Sequence, residues 1–251
     1  LNQHTGNWPG KTVSNAQGYC EWKGCGYVLV DIPGTYSLMA HSAEEEVARN
    51  FVCFGDPDAV VLVCDATCLE RNLNLVLQTM EISKRVVVCV NLMDEARRKH
   101  IRIDLKLLSQ RLGVPVVSTV ARKKRSLSGL LDALEQVSNA ASTPQAVVHI
   151  RYPEPVEAAL QILEPVVCSC MARCGRQLNS RWLALQMLDM DETLAREVRA
   201  YLTEDFFADT QLQKACETAV SMLLAEGIDA QRLKDLIVSA LVNTAQQICA
   251  G

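Results

Sequence analysis

Asp31 and Gly34 stand where an apolar run, Val28-Leu29-Val30, ends and breaks into Asp31-Ile32-Pro33-Gly34-Thr35-Tyr36. Val28 to Val30 are β-formers with no polar member, as in a strand covered on both faces. Asp31 therefore falls at the carboxyl end of a strand, where open α/β sheets hold their ligands. A carboxylate there can hold Mg²⁺ through water. The glycine of a D-x-x-G spacing lets a backbone N–H approach a terminal phosphate with no Cβ in the way. Taken alone, the same spacing also describes an ordinary turn after a strand.

Two further apolar runs end on polar residues. Arg85 to Val90 (RVVVCV) leads into Asn91-Leu92-Met93-Asp94, and Val114 to Val117 leads into Ser118-Thr119-Val120. Asp94 can accept two hydrogen bonds from the N1–H and exocyclic amine of guanine, a donor pair that adenine does not present. Asn91 would tie neighbouring loops together, and the backbone of Ser118 and Thr119 would contact the guanine oxygen. By itself Asn91 to Asp94 also reads as a helix N-cap region. Three correctly ordered polar strand ends are far more specific than any one.

The elements that must position these groups alternate. Lys11 to Gln17 and Cys20 to Val30 read as extended segments around a turn, while Leu1 to Gly10 is polar and without periodicity, as in a loop. Ser42 with Glu45 has capping-box spacing and opens a helix to about Phe54, stopped by Gly55-Asp56-Pro57-Asp58. Ala59 to Cys64 is a buried-type strand. Helical spacing follows over Leu69 to Ser83, Leu105 to Leu112 and Leu127 to Ala140. Strands alternating with helices predict an α/β fold, a doubly wound and mostly parallel sheet with its site along one edge. From about Ala146 the strand runs stop, and helices are expected at 153–173, 180–201, 208–226 and 229–249, with Leu183, Leu185, Met187, Leu188 and Met190 in their core. Ser142-Thr143-Pro144 is the expected seam, dividing 1–143 from an all-helical 144–251.

Composition sets the bounds. A net charge of −4 over 251 residues argues against a broad nucleic-acid footprint, and no apolar run reads as a bilayer span. The 11 cysteines, an odd number spread over strands and helices, read as reduced intracellular thiols. Cys20 and Cys25 flank Trp22-Lys23-Gly24 and could face each other across a hairpin. Cys168-x-Cys170-x₃-Cys174 could suggest a metal, but on a helix only Cys170 and Cys174 share a face, and no histidine stands nearby. Arg122-Lys123-Lys124-Arg125, the one dense basic run, could form a patch for nucleic acid or acidic lipid, but with no interleaved aromatics in an acidic chain it reads rather as a solvated loop.

The motif order resembles the translation-factor-related GTPases. Within them, Asn7-Trp8-Pro9-Gly10-Lys11-Thr12-Val13, Asp31-Ile32-Pro33-Gly34-Thr35-Tyr36-Ser37-Leu38 and Leu69-Glu70-Arg71-Asn72-Leu73 look like the amino-terminal cytosolic region of ferrous iron transport protein B, FeoB. The resemblance implies a P-loop GTPase-like domain followed by a helical domain leading to a membrane permease. It further implies GTP or GDP as ligand, Mg²⁺ as cofactor, a role for K⁺ left open, and the cytoplasmic face of the inner (plasma) membrane as location. Gly10, Lys11, Thr12, Val13 and Ser14 would form the first switch loop, with Thr12 meeting Mg²⁺ and the terminal phosphate and acting with Gly34 in hydrolysis. Asp31, Ile32, Pro33 and Gly34 would form the second switch, Asp31 holding Mg²⁺ through water. Asn91, Leu92, Met93, Asp94, Ser118, Thr119 and Val120 would hold the base. The permease partner would lie beyond Gly251, no nucleic acid is expected, and a homo-oligomer is left open.

Three departures temper the resemblance. Gly10-Lys11-Thr12 is not a Walker A sequence, because no glycine stands five residues earlier, and the phosphate-cradling loop that the family places just upstream of Leu1 is not in the chain. Residues 1–251 alone are therefore expected to bind nucleotide poorly. Thr35 occupies the position where many switch GTPases have a water-orienting Gln, which predicts slow intrinsic turnover. Leu92 stands where most GTPases have a Lys packing on the base. Two other readings remain open at this level: a soluble GTPase of ribosome assembly or tRNA modification, and a helical interaction module carrying a nucleotide-binding remnant that no longer turns over.

Overall fold

The structure is a computed structural model that describes residues 2–7, 14–39, 42–139, 148–176 and 178–250, with the backbone alone at 2–7, 14, 15, 124 and 204. These residues fall into two compact units, Leu1–Met80 with Arg85–Val147 and Glu81–Lys84 with Val148–Gly251. The expected seam at Ser142 to Pro144 lies outside the described residues.

The first unit holds two three-stranded sheets. β1 (Asn2–Asn7), β2 (Ser14–Trp22) and β3 (Cys25–Asp31) form an antiparallel sheet in that order. The chain thus opens in a strand rather than the loop its composition predicts, with Asn2 opposite Tyr19 and Asn7 opposite Ser14. An outer strand needs only backbone partners, so polar residues without alternation can form one. β2 runs unbroken through the stretch between Gln17 and Cys20 where the two extended segments are expected to part, and the hairpin turn is the one flanked by Cys20 and Cys25, at Lys23 and Gly24, whose φ values of 51° and 81° give the left-handed pair of a two-residue hairpin. In this register Cys20 lies opposite Tyr27 and Cys25 opposite Trp22, so the two thiols are offset, and both are free. Trp22 Nε1 donates to Asp132 Oδ1 at 2.9 Å and Lys23 Nζ pairs with the same carboxylate at 2.7 Å.

The parallel sheet has the order β4 (Val60–Asp65), β5 (Val86–Asn91), β6 (Val116–Ser118). α1 (Ala43–Phe54) precedes it, opened by Ser42, whose side chain accepts from the Glu45 N–H as the capping box predicts. α2 (Leu69–Ile82) crosses from β4 to β5. α3 (Met93–Arg98) and α4 (Leu105–Leu112) separate β5 from β6, and α5 (Ser128–Asn139) follows. Gly113, at φ 75°, closes α4 by donating its N–H to Ser109. Val86 to Val90 are all buried, with Val87 packed on Ala133 and Leu134 of α5, so the central strand is covered on both faces as its composition requires.

β3 and β4 each end their sheet, so among the described residues each has one unpaired edge. Val28 and Val63 are 67% and 64% exposed, unlike the doubly covered strands that the apolar runs at Val28 to Val30 and Ala59 to Cys64 suggest.

The second unit is helical. α6 (Glu154–Cys174) packs against α7 (Ser180–Met187) and α10 (Thr210–Ala225), and α8 (Glu192–Leu202), α9 (Glu204–Ala208) and α11 (Ala230–Cys249) complete it. The single helix expected over 180–201 is two, because Asp191 accepts from the Leu194 N–H and starts a new helix. Leu183, Leu185 and Leu188 are buried as expected, while Met187 and Met190 are half-buried. α6 is long and apolar enough to cross a membrane by length and composition, contrary to the sequence reading. Val156, Leu160, Leu163 and Val167 are buried, however, and Glu157 is ion-paired with Arg181 at 2.8 Å, which is the pattern of a core helix.

Candidate functional site

At the end of β3 the chain turns through Asp31, Ile32, Pro33 and Gly34. Asp31 pairs through its backbone with Ala16, and its exposed carboxylate has no partner among the described residues. Gly34 does not have a left-handed φ, and a Cβ built on it would meet nothing within 4 Å. The fold therefore does not itself require glycine there.

The residues after Gly34 are held from two sides. The Thr35 hydroxyl donates to the Ser37 carbonyl at 2.6 Å and lies 3.3 Å from Glu45 Oε1 of α1. Gln78 Oε1 of α2 accepts from the Leu38 N–H at 2.6 Å and from Ser37 Oγ at 3.2 Å. The Arg71 guanidinium lies 4.1 Å from the centre of the exposed Tyr36 ring. Beside this loop a cavity of about 310 Å³ is lined by Gly34, Thr35, Tyr36, Val63, Cys64 and Asn72, among others. Burial pushes the Cys64 thiol up to about 12 and raises that of Cys89, so both are neutral near pH 7. The Thr67 N–H, 2.7 Å from Asp65 Oδ1, holds the Asp65 carboxyl below its ordinary range.

A second cluster gathers at the carboxyl ends of β5 and β6. Asn91 Oδ1 accepts from the Ala121 N–H at 3.0 Å and from the Thr119 hydroxyl at 3.2 Å, which ties the two strand-end loops as the sequence suggests. The Thr119 side chain is buried against Cys89, Oγ1 to Sγ 3.1 Å. Leu92 caps α3 at φ 59°, a conformation that costs a branched side chain energy, and it is 40% exposed at the rim. Asp94 in the first turn of α3 is ion-paired with Arg122. Asn91 to Asp94 is thus both a helix start and a candidate base site.

Of the predicted site residues, Gly10, Lys11, Thr12 and Val13 lie outside the described residues, and Ser14 is the first residue of β2. Asp31 to Gly34 form one loop, and Asn91 to Asp94 with Ser118 to Val120 form the other cluster. Sequence reasoning missed the roles of Gln78 and Asn72, which lie inside α2. It also missed Arg122, which in the sequence reads as part of a solvated loop. Asn72 Oδ1 accepts from the Asp65 N–H at 3.1 Å. Its place in Leu69-Glu70-Arg71-Asn72-Leu73 was the available signal. Among the described residues no group of three His, Cys, Asp or Glu side chains could hold a metal ion.

Comparison with known proteins agrees with this architecture. The family model described as ferrous iron transport protein B matches residues 1–134, and the FeoB cytosolic helical domain model matches residues 152–251. The Fe(2+) transporters FeoB of Salmonella choleraesuis and Escherichia coli K12 are each 36% identical over 193 residues, covering 75% of this chain and 24% of the relative. The chain thus spans about a quarter of the length of these curated relatives. The cytosolic domain of the T. maritima FeoB iron transporter in a GDP form superposes with a TM-score of 0.73 at 28% identity, over 98% of this chain and 87% of that one. A point mutant of S. thermophilus NFeoB bound to GDP superposes with a TM-score of 0.78 at 26% identity, over 99% and 89%. With both models matched in order, and with a G-domain architecture followed by a helical unit, the chain belongs to the ferrous iron transport protein B family.

Proposed function

We propose that this chain is the guanine-nucleotide-binding and GTP-hydrolysing cytosolic part of a ferrous iron membrane transporter, acting at the cytoplasmic face of the inner membrane. The observation that carries the reading is the Asn91 tie, which holds the loops after β5 and β6 together with Asp94 at their mouth. A carboxylate fixed there can accept the N1–H and exocyclic amine of guanine. The GDP-bound solved relatives support the ligand class.

The phosphate end would be formed by Asp31 to Gly34. Asp31 offers a hard carboxylate oxygen, unpartnered among the described residues and suited to a water-bridged Mg²⁺, with Thr12 as the second expected contact. When bound, the ion would neutralise charge on the phosphates. Gly34 leaves its backbone N–H open to a terminal phosphate oxygen. Because the Thr35 hydroxyl is already engaged by the Ser37 carbonyl, the attacking water would be placed by backbone groups, in line with slow turnover. The helical unit and the permease expected beyond Gly251 are the proposed receivers of the nucleotide state.

Replacing Asp94 by Asn in the full-length polypeptide tests the base site. Guanine preference should fall by about one to two orders of magnitude, roughly the worth of a bidentate pair, while phosphate contacts are unchanged. Unchanged GDP affinity would overturn the assignment.

A further inference from the structure

The Asp94 carboxylate and the N–H groups of Thr119 and Val120, all expected at the guanine edge, already have partners inside the chain. Arg122 donates through its Nη2 to Asp94 Oδ2. The N–H groups of Thr119, Val120 and Ala121 go to Val90 O at 2.8 Å, Ser126 Oγ at 3.1 Å and Asn91 Oδ1 at 3.0 Å. The bonds to Val90 and Asn91 join strand ends and are structural. Those from Arg122 and to Ser126 come from the loop after β6 and have the chemistry of the base itself. Guanine's N1–H, C2 and exocyclic amine form a cyclic guanidine, which presents to a carboxylate the same planar donor fork as an arginine side chain. The Ser126 hydroxyl oxygen accepts a backbone N–H as guanine O6 would.

We propose that Arg122 and Ser126 are built-in surrogates for guanine, which occupy the base site and which the nucleotide must displace to bind. The inference rests on the assignment of Asp94 as the base reader. Local bonds shape the loop for this role. Lys123 N–H donates to Val120 O at 2.7 Å, Ser126 N–H to Lys123 O at 2.9 Å, and Ser126 Oγ bonds Val120 O and Lys123 O at 2.9 and 2.8 Å. Arg122 projects from the turn so formed. Its side chain is 68% exposed whereas that of Asp94 is 19% exposed, so Arg122 can leave into water while the carboxylate stays in place.

A site occupied by its own surrogate binds with an affinity reduced by the fraction of molecules that are open. Arg122 therefore lowers the affinity for guanine nucleotides, and it also keeps the Asp94 carboxylate paired between ligands.

The test uses the full-length polypeptide carrying this chain, with ribose-labelled fluorescent GDP and the matching ADP as base control. Arg122→Ala is expected to tighten GDP binding by about twofold to fivefold, the range of an exposed ion pair, mainly through faster association. Arg122→Lys, which keeps the charge but loses the fork, should fall between. Bulk electrostatics gives the opposite sign, since removing a cation beside an anionic ligand weakens binding. Unchanged or weaker GDP binding by Arg122→Ala would overturn the proposal and leave the base site standing. In an Asp94→Ala background the Arg122 substitution should have no effect; an equal gain there would also overturn it. If the unsubstituted protein binds the two labelled nucleotides alike, the base assignment itself fails, and the surrogate with it. Ser126→Ala is the less informative variant, because it also removes the bonds that shape the loop.

Discussion

The Tyr152 hydroxyl donates a 2.6 Å hydrogen bond to Glu81 Oε1, joining the last turn of α2 to the segment before α6 within the helical unit. Around it, Glu157 Oε1 accepts from the Tyr152 N–H at 2.8 Å, and Arg181 donates to both Glu157 oxygens at 2.8 and 3.0 Å. Burial pushes the Glu81 carboxyl up to about 7, against the smaller opposing pulls of Tyr152 and Arg181. A raised carboxyl binds more protons folded than unfolded. Its stabilising effect is complete below the unfolded value near 4.5 and is lost as pH rises through about 7. Glu81→Gln, which keeps the Tyr152 bond without the charge, should flatten stability between these limits and raise it at pH 8 by roughly 1 to 3 kcal/mol. Thermal melts of both proteins from pH 4.5 to 8 check this, and parallel pH profiles would refute it.

Asn91→Ala should loosen both base loops together. Losing the acceptor for the Ala121 N–H and the Thr119 hydroxyl costs about 1 to 3 kcal/mol, and labelled-GDP affinity should fall by about tenfold or more. Chemical denaturation and a binding titration on one preparation separate the two effects.

Gln78→Leu keeps the bulk of the side chain but removes the acceptor for the Leu38 N–H and for the Ser37 hydroxyl proton, while Ser37 Oγ still accepts from the Met39 N–H. Amide exchange at Leu38 should accelerate, with about 1 kcal/mol lost from that loop and little change in the global unfolding midpoint. Protection at Leu38 equal to that of the unsubstituted protein would show that Gln78 does not restrain the segment after Gly34.

Gly34→Ala separates fold from function. No Cβ clash and no left-handed φ oppose it, so the nucleotide-free protein should be unchanged or more stable by about 0.4 to 1 kcal/mol. GTP turnover should nonetheless drop if Gly34 meets the terminal phosphate as proposed, because the added methyl group would stand in the way of that approach. A clear loss of melting temperature without nucleotide would mean that the glycine serves the fold.

How much the sequence disclosed depended on the range of the interaction. Local chemistry was legible: Ser42 with Glu45 opens α1, Gly113 closes α4, and the apolar strand β5 is buried on both faces. Asn91 could be read as a tie between loops because strand-end order places its partners nearby. Arg122 could not be recognised as the partner of Asp94, since an exposed basic run carries no signal of which carboxylate it will meet. The polar strand β1 was missed for a related reason: its register with β2 is made by backbone groups, which every residue has. The break between α7 and α8 had a local signal in Asp191, but the apolar spacing on either side outweighed it.

The edges of β3 and β4 that are unpaired among the described residues have a practical consequence for handling the chain in isolation. Each exposes backbone donors and acceptors in a row, with Val28 and Val63 beside them. Such edges template the addition of strands from other copies. Colloidal behaviour, rather than unfolding, should set the usable concentration of residues 1–251, and a short peptide of high β-propensity should delay precipitation by capping an edge.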